Sequence, residues 1–320
     1  MAGKKKRIVS GVQPTASLHV GNYLGAIKNF LAIQDSGAYD SFFFIADLHS
    51  LTIPYEPKEK GGQIYDLLAT YLALGLDPKK TTIFLQSQVT GHTELSWLLS
   101  CVTPIAELER MTQYKDKAAQ HKKNVNAGLF TYPVLQAADV LLYNGELVPV
   151  GEDQVQHVEL IRVVARKMNA AFGTSFPESK PLLTKAARVM SLKDPVKKMS
   201  KSLGGGHVLN LFEDPELIRK TIAKATTSTE MRGPAYDNLM LLLNAFSTDA
   251  SQRKFSSYRD LKESLAEAII GYFSEPRKRF LDMRQDITYL DTVLDIGRRK
   301  AQAIANETLK TTKRQMGLPV

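Results

Sequence analysis

Three lysines and two serines fall within six consecutive residues, Lys197 to Ser202, and a glycine run at 204–206 follows them. Ammonium and hydroxyl groups on a flexible loop suit a polyphosphate whose negative charge changes during a reaction. A solvated basic loop is the alternative interpretation of such a lysine run. The stretch is therefore a candidate polyphosphate site, and the rest of the chain must decide between the two interpretations.

A second candidate lies near the N-terminus, where His19-Val20-Gly21-Asn22 follows a predicted strand and opens a predicted helix. The N-terminus of a helix attracts phosphate, and Gly21 allows the backbone to approach it closely. His19 can donate a hydrogen bond to a developing phosphate charge. Taken alone, the tetrapeptide is also compatible with an ordinary strand–turn–helix connection, in which glycines are common.

Two further stretches carry carboxylates that a ligand could meet. Asp153, in Gly151-Glu152-Asp153-Gln154, lies between a predicted strand and a predicted helix. It can accept ribose hydroxyls beside Gly151, or it can cap the helix. Asp139 falls within an otherwise apolar helical stretch, so we expect it to be buried and paired. Its partner is either a substrate N–H, an internal salt bridge or a helix-capping contact.

The elements that position these residues alternate between strand and helix along the first part of the chain. We predict strands at 6–12, 42–46, 82–86 and 147–150, and helices at 58–74, 92–101, 134–143 and 155–172. This alternation predicts an α/β fold with a doubly wound, Rossmann-type parallel sheet, whose ligand sites lie at the carboxyl ends of the strands. We expect Trp97, which lies among leucines on one of these helices, to be a core residue.

The pattern changes after Gly206, where no strand signal of comparable strength appears. Helices are predicted at 215–225, 237–246, 257–273, 276–289 and 291–316. The glycine run at 204–206 is interpreted as a hinge. We therefore predict a catalytic domain over residues 1–202 and a smaller all-helical domain over residues 203–320. The last helix is a candidate to pack back on the catalytic domain.

Composition narrows the class of protein. No stretch reaches the roughly 18 apolar residues of a membrane span, and no apolar signal segment follows the basic start, so we expect a cytoplasmic protein with no membrane partner. Lys4 to Arg7 is interpreted as a solvated tail, with a nuclear address as the alternative. The single cysteine, Cys101, excludes an internal disulfide and a cysteine zinc cluster. The formal net charge of +9 favours a polyanionic partner.

Lys198 to Ser202 reads KMSKS, and with His19 to Asn22 it resembles the two signature motifs of the class I aminoacyl-tRNA synthetases. Asn22 stands where the first motif commonly ends in His, as is usual in the tryptophanyl branch. Gln13-Pro14-Thr15 and Gly151-Glu152-Asp153-Gln154 are similar to motifs of the same branch. The resemblance extends over nearly the whole chain, and Leu203 departs from it where an acidic residue often stands.

The tyrosyl branch is the nearest alternative within this class. Tyrosyl enzymes carry a Tyr at the strand position of Val9, and its hydroxyl meets the substrate phenol. They also tend to have an aromatic residue where Ala138 stands and a different residue where Glu152 stands. Gln136, in contrast, is the residue of the tyrosyl family. Three of these four positions favour the tryptophanyl branch.

The resemblance implies an enzyme that uses ATP with Mg²⁺ to convert L-tryptophan to tryptophanyl-adenylate, and then transfers the acyl group to tRNA(Trp). It implies catalytic roles for His19, Lys117, Lys198, Ser200 and Lys201. It implies ATP contacts from Gln13, Pro14, Thr15, Gly21, Asn22, Gly151, Glu152, Asp153, Val189, Lys198, Met199, Ser200, Lys201 and Ser202. It implies tryptophan contacts from Val9, His49, Tyr132, Asp139 and Gln154. No protein metal site is implied, because Mg²⁺ accompanies ATP.

Some of these implied roles have alternatives. His49 is alternatively a core histidine, and Lys117 a solvated surface lysine. The resemblance also implies a homodimer whose helical domain reads the anticodon, with the basic residues 298–300, 310, 313 and 314 either contacting tRNA phosphates or simply solvated. Two other kinds of protein stay open, a catalytically silent tRNA-binding paralogue and a small adenylyltransferase with the same His-x-Gly turn.

Overall fold

A computed structural model describes residues 5–15, 17–120, 125–183, 188–249 and 253–320, apart from the side chains of Lys117, Gln120 and Ser202. Five parallel strands form one sheet in the order β3-β2-β1-β4-β5. The strands are β1 (Lys6–Val12), β2 (Tyr39–Ile45), β3 (Thr82–Leu85), β4 (Leu147–Val150) and β5 (Lys180–Leu183). The predicted doubly wound parallel sheet is confirmed.

The strand order places the switch point of the sheet at its middle strand. β1 pairs with β2 along its whole length, from Lys6 opposite Tyr39 to Val12 opposite Ile45, and β4 lies on its other side. Successive connections therefore leave β1 in opposite directions. In such sheets a crevice forms at the carboxyl ends of the strands that flank this point. The predicted site residues lie directly after β1 and β4.

The helices before residue 202 cover both faces of the sheet. They are α1 (Val20–Asn22), which continues through a π-helical turn (Tyr23–Ile27) into α2 (Lys28–Ser36), then α3 (Pro57–Leu74), α4 (Gly91–Ser100), α5 (Ile105–Glu109), α6 (Thr112–Gln120), α7 (Ala127–Leu141) and α8 (Val155–Phe172). Those after it are α9 (Pro215–Ala223), α10 (Pro234–Phe246), α11 (Tyr258–Tyr272), α12 (Ser274–Gln285) and α13 (Ile287–Gln315).

Two apolar cores lie on the two faces of the sheet. Successive side chains of a strand point to opposite faces, so Ile8 enters one core and Val9 the other. The core around Ile8 also contains Leu239 of α10 and Leu261 of α11. The core around Val9 also contains Ala301 of α13. Both cores are thus built from residues on both sides of position 202, and the domain boundary proposed there stays a prediction.

The long helix α13 returns to the sheet and lies against its edge strand β3. Contact is closest at Gly297, where an added Cβ would come within 1.7 Å of the backbone oxygen of Ile83. Tyr65 of α3 reinforces the same side of the molecule by donating a hydrogen bond to Asp291 (2.7 Å). The last helix therefore packs back on the sheet, at its edge strand β3.

Three local expectations differ from the structure. Trp97 is 72% exposed and not in the core, because α4 buries Leu95, Leu98 and Leu99 on its other side. Arg7 belongs to β1 and pairs with Asp40 at 3.0 Å, so it is not part of a solvated tail. Strand β5 and the helices α5 and α6 were not predicted. The β5 sequence KPLL contains a proline and is only partly buried, which hides it from a search for buried apolar runs.

Candidate active site

A cleft of about 1570 Å³ opens at the carboxyl ends of β1 and β4. It gathers predicted residues from five separate stretches of the chain. They are Val9, Gln13, His19, Gly21, Asn22, His49, Tyr132, Asp139, Gly151, Glu152, Asp153, Gln154, Val189, Lys198, Met199 and Ser200. Of the other predicted residues, Pro14, Thr15 and Lys201 do not line it, and the side chains of Lys117 and Ser202 lie outside the described part of the chain.

His19 is held at the start of α1 by a reciprocal pair of hydrogen bonds. Its Nδ1 accepts from the backbone N–H of Asn22 (3.3 Å), and the Asn22 side-chain oxygen accepts from the backbone N–H of His19 (3.1 Å). Burial, reinforced by the charges of Lys201 and Lys198, lowers the pKa of His19 to about 4. The ring is therefore neutral at pH 7. Because Nδ1 accepts, the proton is assigned to Nε2, which is a donor toward the cleft.

The predicted signature loop forms a short antiparallel pair with residues 189–191. Met199 donates its N–H to the Val189 oxygen (3.0 Å), and Ser191 donates its N–H to the Lys197 oxygen (2.8 Å). Met199 is buried, whereas Lys198 is exposed and lines the cleft. The pairing therefore presents Lys198 at the cleft mouth while its neighbour anchors the loop in the core.

Lys201 lies elsewhere, beside the turn that precedes His19. Its Nζ donates to the backbone oxygen of Ser17. Burial lowers the pKa of Lys201, and the nearby charge of Glu213 opposes that shift. To reach a ligand in the cleft, this ammonium group would have to leave the Ser17 oxygen.

Asp139 is 1% exposed and accepts three hydrogen bonds, each of 2.7 Å. Oδ1 accepts from Gln86 Nε2 and from His92 Nδ1, and Oδ2 accepts from His49 Nε2. The Tyr143 hydroxyl lies 2.7 Å from His92 Nε2 and donates to it when Nδ1 carries the proton of a neutral ring. The internal pairing weighed as an alternative for Asp139 is thus present in the structure.

This pairing leaves Asp139 with capacity for one more donor. A carboxylate offers about four lone-pair positions, and the three bonds leave one of them on Oδ2. Burial alone would raise the pKa of Asp139, but His49 and His92 outweigh it and hold that pKa at about 2. Asp139 is therefore an ionised acceptor, and like Val9 it forms part of the cleft wall.

The stretch after β4 brings a glycine and a carboxylate together at the cleft. A Cβ on Gly151 would lie 2.9 Å from Asp153 Oδ1, so a larger residue here would displace the Asp153 carboxylate from its present position. Asp153 makes no capping hydrogen bond to α8 or to the turn before it, which excludes the capping interpretation. Its Oδ2 accepts instead from Gln113 and Gln154, both at 3.3 Å.

Tyr132, which lies on the same helix as Asp139, and Gln154, which follows β4, also line the cleft. The Tyr132 hydroxyl lies 2.9 Å from His157 Nε2. Burial raises the pKa of Tyr132, so its hydroxyl keeps its proton at neutral pH. The cleft wall thus carries the phenol of Tyr132 and the carboxamide of Gln154, whose oxygens can accept hydrogen bonds from a primary ammonium group.

Sequence reasoning missed two groups of residues here. Gln86 and His92, which hold Asp139, were not singled out; a histidine on the apolar face of α4 was the available signal. Gln113 and Asp116 of α6 also line the cleft. Their helix is mostly polar, so its sequence resembles that of a solvated surface helix.

Within the described ranges, no group of three or more His, Cys, Asp or Glu side chains is arranged to hold a metal ion. Mg²⁺ commonly binds through phosphate oxygens with only one or two carboxylates, and such a site needs no cage of protein ligands. None of the described helices has both the length and the apolar character that crossing a membrane requires.

Comparison with known protein families adds to this geometry. The model of the family "tRNA synthetases class I (W and Y)" matches residues 1–276. A tryptophan–tRNA ligase from Caldanaerobacter subterraneus is 46% identical over 98% of this chain and 98% of its own length. Another from Rickettsia conorii is 43% identical over 99% of this chain and 100% of its own length.

Solved structures agree in fold as well as in sequence. The tryptophanyl-tRNA synthetase of Campylobacter jejuni, determined with ADP and tryptophan, has a TM-score of 0.86 and 33% identity, and the match covers 98% of this chain and 100% of that one. That of Mycoplasma pneumoniae has the same TM-score and identity, with 98% of each chain covered.

Proposed function

We propose, on the premise that this chain belongs to the class I tRNA synthetases for tryptophan and tyrosine, that it charges tRNA(Trp) with L-tryptophan. In the first step the tryptophan carboxylate attacks the α-phosphate of ATP, forms tryptophanyl-adenylate and releases pyrophosphate. In the second step a hydroxyl of the terminal tRNA ribose attacks the acyl carbon and releases AMP. The matches with tryptophan–tRNA ligases cover nearly all of this chain and nearly all of each relative, which supports this proposal.

The observation that carries the choice of amino acid is the ionised carboxylate of Asp139 at the cleft wall. Indole presents one N–H donor and no acceptor, so a pocket that selects it needs a buried acceptor. Oδ2 of Asp139 has one lone-pair position left, and Val9, which also lines the cleft, is buried and has no hydrogen-bonding group in its side chain. A phenol would meet no donor at Val9, which supports tryptophan over the tyrosine alternative.

The activation step needs alignment and neutralisation of charge rather than a base, because the substrate carboxylate is already ionised at pH 7. Neutral His19 can donate its Nε2 proton to an α-phosphate oxygen, and Lys198 offers an ammonium at the cleft mouth. Lys201 would join after leaving the Ser17 oxygen, and Lys117 would add further positive charge. Mg²⁺ bound to the phosphates would supply further neutralisation of the pyrophosphate.

The remaining predicted residues would hold the ends of the two substrates. Asp153, beside the open space at Gly151, would accept the ribose hydroxyls of ATP. The backbone near Val189 would contact the adenine. Tyr132 and Gln154 would bind the ammonium group of tryptophan. Each lies on the wall of the same cleft, which supports their assignment to one active site.

The helices after residue 203 would bind the anticodon, and the enzyme would act in the cytoplasm as a homodimer. Exposed apolar side chains near α4 and α5 offer a surface for the second copy. Trp97 is 72% exposed and Ile105 is 65% exposed. Sedimentation analysis of the wild type and of Trp97→Glu tests this part of the proposal. A wild-type monomer at enzyme concentrations used for assays would contradict it.

Amino-acid-dependent exchange of pyrophosphate into ATP, run with each of the twenty amino acids, tests the proposed reaction. We expect exchange with tryptophan and with no other amino acid. Exchange with tyrosine would favour the tyrosyl alternative. An absence of exchange with every amino acid, together with retained tRNA binding, would favour the silent paralogue.

A further inference from the structure

The pairing of the signature loop leaves two backbone groups of Met190 pointing away from it. Met190 lies opposite Lys198, and the two hydrogen bonds of this antiparallel pair are made by the flanking residues. They run from Ser191 to Lys197 (2.8 Å) and from Met199 to Val189 (3.0 Å). In such a pair the N–H and C=O of the central residues face outward, where a further strand would normally bind them. No described strand lies next to Met190 on that side.

The side chain of Asn238 takes the place of that strand. Its Oδ1 accepts from the Met190 N–H (2.9 Å), and its Nδ2 donates to the Met190 oxygen (3.0 Å). A carboxamide presents one acceptor and two donors, so it reproduces the pairing of a peptide group. Asn238 is 5% exposed, and it belongs to α10 in the helical part of the molecule.

We propose that Asn238 is a positioning residue for nucleotide binding, a role that rests on the function proposed above. Asn238 does not line the cleft, so it would act through Met190. Val189 precedes Met190 in the chain, and Lys198 lies opposite Met190 in the antiparallel pair. Both residues line the cleft. Fixing both backbone groups of Met190 holds this two-stranded pair in register and thereby sets the distance between the adenine side and the phosphate side of the site.

The same contact connects the ATP site to the helical part. Neighbouring residues of α10, Leu239 and Leu242, are fully packed in the core with Leu261 of α11. Asn238 therefore cannot move independently of these helices. A shift of α10 would carry Met190 with it and alter the presentation of Lys198. Nucleotide binding and the placement of the helical part are in this way linked through one side chain.

Three variants test the inference, with Michaelis constants for ATP and for tryptophan measured by pyrophosphate exchange. Asn238→Ala removes both hydrogen bonds and should raise the Michaelis constant for ATP roughly 10- to 100-fold, with that for tryptophan nearly unchanged. Asn244→Ala is the matched control, because Asn244 is exposed on the same helix. It should behave as the wild type in both constants.

The pH dependence of the Michaelis constant for ATP in Asn238→Asp distinguishes a positioning role from a merely structural one. The introduced carboxyl still accepts from the Met190 N–H, but when ionised it faces the Met190 oxygen with no proton to donate. When protonated it can donate again. Its Michaelis constant for ATP, divided by that of the wild type at the same pH, should therefore fall as the pH is lowered. This variant also decides the matter if Asn238→Ala fails to fold.

The outcomes distinguish a failure of the positioning role from a failure of the proposed function. Equal increases in the constants for ATP and tryptophan, or a wild-type constant for ATP at neutral pH in a folded Asn238 variant, would overturn the positioning role. A pH-independent ratio for Asn238→Asp would do the same. A wild-type enzyme without tryptophan-dependent exchange would instead remove the proposed function itself.

Discussion

Gly297 of α13 lies directly against the backbone of Ile83 in β3, with 1.7 Å between the position of an added Cβ and the Ile83 oxygen. The Ile83 backbone is held in place because β3 pairs with β2. Glycine in a helix normally costs about 1 kcal/mol relative to alanine. At position 297 glycine is required, because a side chain there would prevent α13 from packing directly against β3.

Gly297→Ala should therefore destabilise the protein by about 2–3 kcal/mol or more, since the helix must move away from the strand. Gly271→Ala is the matched control, because an added Cβ there meets nothing within 4 Å in α11. It should leave stability unchanged or raise it slightly through helix propensity. Urea unfolding of both variants measures the difference, and equal stability would show that α13 is not held at this point.

Lys201→Ala should lower the rate of tryptophan activation roughly 10²-fold or more, with a smaller effect on tryptophan binding. The reason is that its ammonium group, now at the Ser17 oxygen, would stabilise charge only as the transition state forms. Lys197→Ala is the control, because Lys197 is exposed and pairs with Asp194 (3.0 Å). Single-turnover rates separate the two, and an unchanged rate for Lys201→Ala would remove Lys201 from the mechanism.

Asp139→Ala should weaken tryptophan use roughly 10- to 100-fold, relax rejection of other apolar amino acids and leave ATP affinity nearly intact. Its loss also leaves the donors of Gln86, His92 and His49 without their acceptor, so stability should fall as well. Gln86→Leu controls for this, because it disturbs the same cluster without removing the carboxylate. If Gln86→Leu impairs tryptophan use as much as Asp139→Ala, the carboxylate serves folding and not the indole.

The buried His19 predicts how stability depends on pH. Its folded pKa of about 4 lies below the ordinary value of 6.5. Above pH 6.5 both folded and unfolded states are neutral at this position. As the pH falls from 6.5 to 4, the unfolded chain binds a proton that the folded protein rejects, so stability is lost. Between pH 7 and pH 4, the free energy of unfolding of His19→Gln should fall by about 2–3 kcal/mol less than that of the wild type. Urea unfolding of both proteins at the two pH values measures this difference. Parallel pH profiles would contradict the buried, neutral assignment.

Arg298 and Arg299 both donate hydrogen bonds to the carboxylate of Asp295. This pairing within the helix favours the interpretation of a solvated surface over that of a tRNA contact. If they also contact tRNA phosphates, neutralising both to Gln should raise the Michaelis constant for tRNA and flatten its salt dependence, with adenylate formation unchanged. Arg162→Gln with Arg166→Gln is the matched double change, on α8 and paired with Glu159. An equal effect of the two doubles on charging would leave only net charge as the cause.

The sequence predicted the elements that carry the site better than the contacts within it. The bounds of β1 and β4 were predicted correctly because buried strands next to Gly and Pro turns have clear patterns. Trp97 was misplaced because the apolar face of α4 is defined by Leu95, Leu98 and Leu99, and one residue along a helix turns the side chain by about 100°, which is enough to take Trp97 off that face. The position of Lys201 depends on tertiary contacts with Ser17, about which local sequence carries no information.

The return of α13 to the sheet also has a consequence for how the chain is made. Ala301, Ala305 and Leu309 belong to the same core as Val9 and Phe42, although nearly three hundred residues separate Val9 from Ala301. A ribosome releases the first strand long before it releases this helix. Until the helix emerges, the nascent chain exposes an apolar face of its sheet, and we expect that face to be the part a chaperone protects during synthesis.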